Sequence, residues 1–240
     1  MIRYGDHPSQ YAELTRPDGP PLGLVVVIHG GFWKQAYGAE LGRPLAARLA
    51  ELGWAAWNVE YRRVGDGGGF PATFDDVHAA IEASAGPVPG PARVVTLGHS
   101  AGGHLATWAA ARGRFDRWPV SVGVTHVVSQ AGVVDLTDGF ERDLGGGAVA
   151  ALMGGGPELP AYDLADPRRQ LPIGVPAWCV HARDDDMVPF AMSQDYVAAA
   201  RAAGADATLV EVPGGHFGVI EVGSPAWARI EALLAEIGGG

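Results

Sequence analysis

Val94-Val95-Thr96-Leu97-Gly98-His99-Ser100-Ala101-Gly102-Gly103-His104-Leu105-Ala106 changes character at its middle. An apolar, β-branched run with the length of a buried strand stops at Gly98, and residues 101–112 then carry Leu105, Trp108 and Ala109 on one helical face. Ser100 sits at the corner, in the form G-x-S-x-G, where small residues two before and two after the serine let the chain turn sharply without clashing. Such a turn lifts a hydroxyl clear of a sheet, at the positive end of the helix that follows. A chain with 36 glycines in 240 residues will also make G-x-S-x-G by accident in loops. Here the motif falls at a strand-to-helix junction, the context it requires, and Ser100 is therefore read as a nucleophile.

Outward from this corner the sequence alternates strands and helices. Upstream, residues 11–16 read as a first strand, ended by the turn Pro17-Asp18-Gly19-Pro20-Pro21. Residues 22–28 form a continuous apolar run, as in a parallel strand covered on both faces, and end directly at His29-Gly30-Gly31-Phe32-Trp33. Residues 41–52 repeat leucines at helical spacing and stop at Gly53; 54–61 return as a strand; 65–71 are a loop; 73–85 form a helix that buries Phe74, Val77 and Ile81. Downstream, 120–134 is a strand candidate. Between 135 and 172 periodicity collapses into two glycine triplets and several prolines, a short cap-like excursion over the C-terminal edge of the sheet. Strand 176–181, helix 190–203, strand 207–212 and helix 225–237 follow. This alternation predicts an α/β protein, a mostly parallel doubly wound sheet with helices on both faces, in a single domain over 1–240.

With 48% hydrophobic and 18% charged residues the chain has a globular composition. Its apolar runs are strand-sized, and residues 1–8 lack the apolar core of a secretion signal, so a cytoplasmic protein is expected. The one cysteine, Cys179, has no partner for an internal disulfide and lies in an apolar run as core filler. A net charge of −10 without a Lys/Arg cluster disfavours nucleic acid and anionic membrane as partners. The expected partner is a small-molecule ester or amide, the expected assembly a monomer or homodimer, and no metal or organic cofactor is expected.

A serine hydroxyl needs a base within hydrogen-bond reach and a third group to fix that base in one tautomer. At a strand–turn–helix nucleophile these follow in the order serine, acid, histidine. His216 lies in a Gly-rich loop straight after the last strand, where ligand-facing residues of a parallel sheet are found. His126 and His181 are embedded in apolar runs and read as core or sheet-edge histidines; His29 and His99 flank the glycine motifs and orient loops. The acid falls among Asp184, Asp185 and Asp186, of which one turns inward while its neighbours face water; periodicity does not say which. Oxyanion donors come from the amide after the nucleophile, Ala101, and from the loop Gly30-Gly31-Phe32.

In this order, His29-Gly30-Gly31-Phe32-Trp33, the Ser100 motif, Asp185-Asp186-Met187-Val188-Pro189 and His216 resemble the α/β-hydrolase superfamily across nearly the whole chain. The H-G-G-x-W loop with G-H-S-A-G-x-H-L resembles its kynurenine formamidase and esterase/lipase-like branch. The resemblance implies Ser100 as nucleophile, His216 as base and Asp185, in a D-x-x-V-P pattern, as the orienting acid. It implies an oxyanion hole of the Gly31, Phe32 and Ala101 amides, with Trp33 and His99 at the substrate pocket. Phe32 departs from the third glycine of many esterases and is expected to narrow the acyl side. The implied activity is cleavage of a small carboxylic ester or aryl formamide through an acyl-enzyme. A peptidase of the prolyl-oligopeptidase type, an acyltransferase or lyase, and a silent binding protein on the same fold are the alternatives.

Overall fold

The five residues Leu24–Ile28 are apolar and buried throughout, and they form strand β3 near the middle of an eight-stranded sheet. The computed structural model describes residues 1–239. Its strands are β1 (Ile2–Arg3), β2 (Tyr11–Thr15), β3, β4 (Ala55–Glu60), β5 (Val94–His99), β6 (His126–Gln130), β7 (Ala177–Ala182) and β8 (Ala207–Val212). They lie in the order β1-β2-β4-β3-β5-β6-β7-β8. The pairings of β2 with β1 and β4 are antiparallel and all the others are parallel. The helices are α1 (Arg43–Glu51), α2 (Ala72–Ala83), α3 (Ala101–Ala111), α4 (Leu136–Glu141), α5 (Ala148–Met153), α6 (Ala161–Ala165), α7 (Phe190–Ala202), α8 (Gly215–Gly218) and α9 (Pro225–Gly239).

Side chains alternate across β3 as the pleat requires. Leu24, Val26 and Ile28 join the core beneath α2, α3 and α7; Val25 and Val27 join the opposite core with Leu45 and Leu49 of α1 and Trp227 and Ile230 of α9. Register then decides what emerges together. Ile28 pairs with Gly98 and His99 with Gln130, so β3, β5 and β6 end level, and the loop at His29 leaves the sheet beside Ser100.

Two segments differ from the sequence expectation. The strand expected over 120–134 is only His126–Gln130. Before it, the amides of Ser121 and Val122 are satisfied by the Glu82 carboxylate instead of a neighbouring strand, and after it Ala131 turns the chain with a φ of 47°. The excursion 135–172 is not irregular: it holds α4, α5, α6 and a 3-10 turn, Pro167–Gln170. Helices of five or six residues are too short for a 3.6 period to show. They are tied together by Asp166, a fully buried carboxylate that accepts from the amides of Leu136 (3.1 Å), Thr137 (3.2 Å) and Arg168 (3.1 Å) and from Thr137 Oγ1 (3.2 Å). Burial first and the nearby Asp135 second push its carboxyl up to about 6. Two buried rings of α3 fasten the segment to that helix: His104 Nε2 meets Ala165 O at 2.9 Å and Trp108 Nε1 donates to Leu164 O at 2.9 Å.

Candidate active site

Ser100 lies between β5 and α3 with φ 55° and ψ −118°, a left-handed conformation that costs a non-glycine residue of order 1–3 kcal/mol and persists only where its surroundings impose it. Its amide is held by Gln130 O at 2.9 Å. The glycines around it are required by contact: a β-carbon on Gly98 would lie 2.1 Å from Gly102 O, and one on Gly103 2.6 Å from Gly132 Cα. Ala101 is the first residue of α3, where a backbone N–H has no acceptor within its own helix and points out of its end.

The loop after β3 turns through three consecutive left-handed residues, Gly31 (φ 104°), Phe32 (φ 52°) and Trp33 (φ 55°). It is anchored from beneath by a buried carboxylate that sequence reasoning missed. Glu60 Oε1 meets His29 Nε2 at 3.1 Å, Glu60 Oε2 accepts from the Ala39 amide at 2.8 Å, and Arg63 lies 3.2 Å away. Burial raises the Glu60 carboxyl, but the His29 hydrogen bond, with the Ala39 amide and Arg63, holds it below the usual glutamate range. The His29 ring stacks on Tyr61 at 4.4 Å, and the Tyr61 hydroxyl donates to His29 O at 2.8 Å. The sequence signal of this anchor was a carboxylate at the end of a strand that is apolar but for Asn58.

Phe32 and Trp33 part company in this turn. Trp33 is fully buried and meets the His104 ring edge-on at 5.3 Å, so it braces the loop from the core and does not line a pocket, contrary to the sequence expectation. Phe32 is half-buried against the 135–172 segment, where a β-carbon on Gly145 would lie 2.6 Å from its Cδ1. Lys34 closes this contact, donating to Gly145 O at 2.7 Å and lying 5.7 Å from the Phe32 ring centre.

On the other side of Ser100, tertiary structure separates the three aspartates. Asp185 Oδ2 meets His216 Nδ1 at 2.7 Å, while Asp185 Oδ1 accepts from the amides of Met187 and Val188, each at 2.8 Å. The Asp185 side chain is fully buried; Asp184 and Asp186 are exposed, and Asp184 caps the Gly215 amide at 3.2 Å. Burial raises the Asp185 carboxyl, but hydrogen bonds from His181, His216 and Val188 outweigh it and hold the group well below the usual carboxylate range. His181, expected in the core, is buried there, yet its Nε2 also reaches Asp185 Oδ2 at 3.0 Å. The i, i+4 spacing from His181 to Asp185 was the available signal.

His99 links the two halves of the site. Its Nε2 meets His216 O at 2.9 Å, with the two rings 4.6 Å apart. Burial first and His216 second pull its imidazole down to about 3, so it is neutral and donates through Nε2. His99 is thus buried and tied to the backbone of the His216 loop. Through His99, the residue before Ser100, the end of β5 is tied to the loop that carries the buried Asp185–His216 pair. Among the described residues no group of three or more His, Cys, Asp or Glu side chains is arranged to hold a metal ion.

Residues 14–199 match the BD-FAE family. The chain is 28% identical over 232 residues to a probable isoprenylcysteine α-carbonyl methylesterase of Oryza sativa subsp. japonica, a match covering 87% of this chain and 55% of the rice protein. It is 32% identical over 115 residues to esterase LipC of Mycobacterium tuberculosis, covering 45% of this chain and 28% of that one. The chain thus spans about half the length of the first relative and less of the second. Among solved structures, a truncated carbohydrate esterase from gut microbiota superposes with TM-score 0.78 at 21% identity, covering all of this chain and 95% of that one. A butyrate-bound esterase of Thermogutta terrifontis does so with TM-score 0.75 at 21% identity, covering 94% and 87%. Among the described residues no helix is long and apolar enough to cross a membrane. The family match takes in the loop after β3, the elbow and the Asp185 turn, and the sheet superposes on those of known esterases: this chain has the α/β-hydrolase fold and belongs to the BD-FAE family.

Proposed function

We propose that this chain is a serine esterase that cleaves small carboxylic esters, or aryl formamides, through an acyl-enzyme. Ser100 Oγ attacks the acyl carbon while His216 takes its proton, and the oxyanion is held by the amides of Gly31, Phe32 and Ala101. Collapse of the tetrahedral intermediate breaks the bond to the leaving group, which receives the proton from His216. Water, activated by the same imidazole, then releases the acid and regenerates Ser100. Asp185 keeps His216 in the Nδ1–H tautomer and stabilises the imidazolium.

The observation that carries this reading is the 2.7 Å hydrogen bond between Asp185 Oδ2 and His216 Nδ1, both side chains buried, at the strand ends where Ser100 emerges. The esterase names of the rice and mycobacterial relatives favour ester chemistry over peptide cleavage or acyl transfer. A single catalytic domain with 135–172 as its cap-like insertion is part of the same proposal.

The test is labelling with a fluorophosphonate followed by peptide mass spectrometry, and a screen of short p-nitrophenyl esters, N-formylkynurenine and peptide anilides. The expected result is a single adduct on Ser100 and turnover of the short esters. A protein left unlabelled, or one labelled equally in Ser100→Ala, overturns the proposal.

A further inference from the structure

We propose that His181 is a positioning residue of this site: a second imidazole that shares one oxygen of Asp185 with His216 and so sets how strongly the acid holds the base. The inference rests on the roles proposed above for Asp185 and His216.

Asp185 Oδ2 receives both rings, His216 Nδ1 at 2.7 Å and His181 Nε2 at 3.0 Å. The partners of His181 assign its tautomer. Nε2 faces two acceptors, Asp185 Oδ2 and Val188 O, both at 3.0 Å, and must carry the proton; Nδ1 faces Ser193 Oγ at 2.8 Å, which has a hydroxyl to donate. In this tautomer the ring is satisfied at both nitrogens, with its side chain fully buried. The other groups around the pair do not compete for this oxygen. His99 is neutral and bound to His216 O, the Cys179 thiol is pushed up to about 12 by burial, Asp184 is exposed on the Gly215 amide, Asp186 is exposed, and Arg183 is paired with Glu211 at 2.5 Å.

Two consequences follow from shared use of one oxygen. By holding both Asp185 and Val188, His181 closes the turn between β7 and α7 and fixes the direction in which the carboxylate faces His216. By donating to Oδ2, it also draws charge from the oxygen that stabilises the imidazolium. Without that donor the carboxylate binds His216 more strongly, the protonated imidazole persists to higher pH, and less free base is present near neutrality.

The experiment compares pH profiles of kcat/KM on p-nitrophenyl acetate for the parent, His181→Leu and His181→Gln. Glutamine places an N–H where Nε2 stands; leucine removes the donor. In His181→Leu the acid limb is expected to move up by about half a unit to one unit, the scale of one lost hydrogen bond to a charged group, with kcat reduced about tenfold. His181→Gln is expected to return the limb to the parental position. A slower His181→Leu enzyme with an unmoved acid limb would mean a merely structural role and overturn the proposal. Should the leucine variant fail to fold, ¹⁵N NMR of the parent decides instead: an Nε2–H tautomer with bare Nδ1 supports the proposal, and an Nδ1–H tautomer overturns it. Loss of fluorophosphonate labelling at Ser100 in the parent is a separate outcome, which defeats the esterase assignment and not the tautomer measured for His181.

Discussion

Gly102 lies so close to the end of β3 that a β-carbon on it would stand 2.0 Å from the carbonyl oxygen of Ile28. The second glycine of the elbow is therefore fixed by packing as well as by the turn: the first turn of α3 is pressed onto the strand from which the Gly31 loop leaves. Contact at that distance forces backbone to move, since Ile28 is buried in the middle of the sheet. Gly102→Ala is expected to cost about 3 kcal/mol or more, measured by urea unfolding. Gly174→Ala, where a β-carbon meets nothing within 4 Å, is the control and is expected to change stability by less than about 1 kcal/mol.

Ser100→Ala and His216→Ala are each expected to remove esterase turnover while the protein stays folded. Triad members act as a unit, so the double variant should be scarcely slower than either single one. Steady-state rates on one short ester test this, and multiplicative losses would count against the pair.

Asp185→Asn is expected to lower kcat by on the order of 10³ to 10⁴, because an amide at that position leaves His216 without the carboxylate that fixes its tautomer. Asp184→Asn and Asp186→Asn concern exposed carboxylates and should stay within severalfold of the parent. A large loss from either neighbour would contradict the inward turn of Asp185.

Phe32 stands in the loop after β3, the proposed oxyanion loop, with its ring against Gly145, and a wall formed there should limit the acyl group. In kcat/KM for p-nitrophenyl esters of increasing length, each methylene that finds apolar room adds up to ~1 kcal/mol, and the first that does not reverses the trend. Formyl, acetyl and butyryl esters are expected to turn over and long chains to fail; Phe32→Gly should lengthen the profile. A parent that prefers long chains would sink the idea.

His104 is fully buried, and burial pulls its imidazole down to about 4, with the Ala165 carbonyl opposing only in part. The folded protein refuses a proton that the unfolded chain accepts near 6.5. Its contribution is thus complete above about pH 6.5 and is lost as pH falls toward 4, by on the order of 3 kcal/mol. His104→Gln keeps a donor for Ala165 O and has no proton to gain. The stability difference between parent and variant, from urea unfolding at pH 7 and pH 4, should shift by that amount in favour of the variant at acid pH.

What the sequence determined by itself is local and periodic. An unbroken apolar run marked β3 and largely apolar runs marked β5 and β7, because a strand covered on both faces leaves little polar alternation, and the glycines about Ser100 marked the elbow because close backbone contact excludes a side chain. Chain order then placed an acid and a histidine after the last two strands. Periodicity left the three aspartates level and the D-x-x-V-P resemblance pointed to Asp185; the tertiary structure turns that one inward, because which of three adjacent carboxylates does so depends on a partner 31 residues away, His216. It alone sent Trp33 into the core and Phe32 onto Gly145, set Glu60 beneath His29, and made the helices of 135–172 around Asp166. Each of these is decided by a contact between residues distant in sequence, where the stabilising term is burial or a shared hydrogen bond that no local pattern encodes.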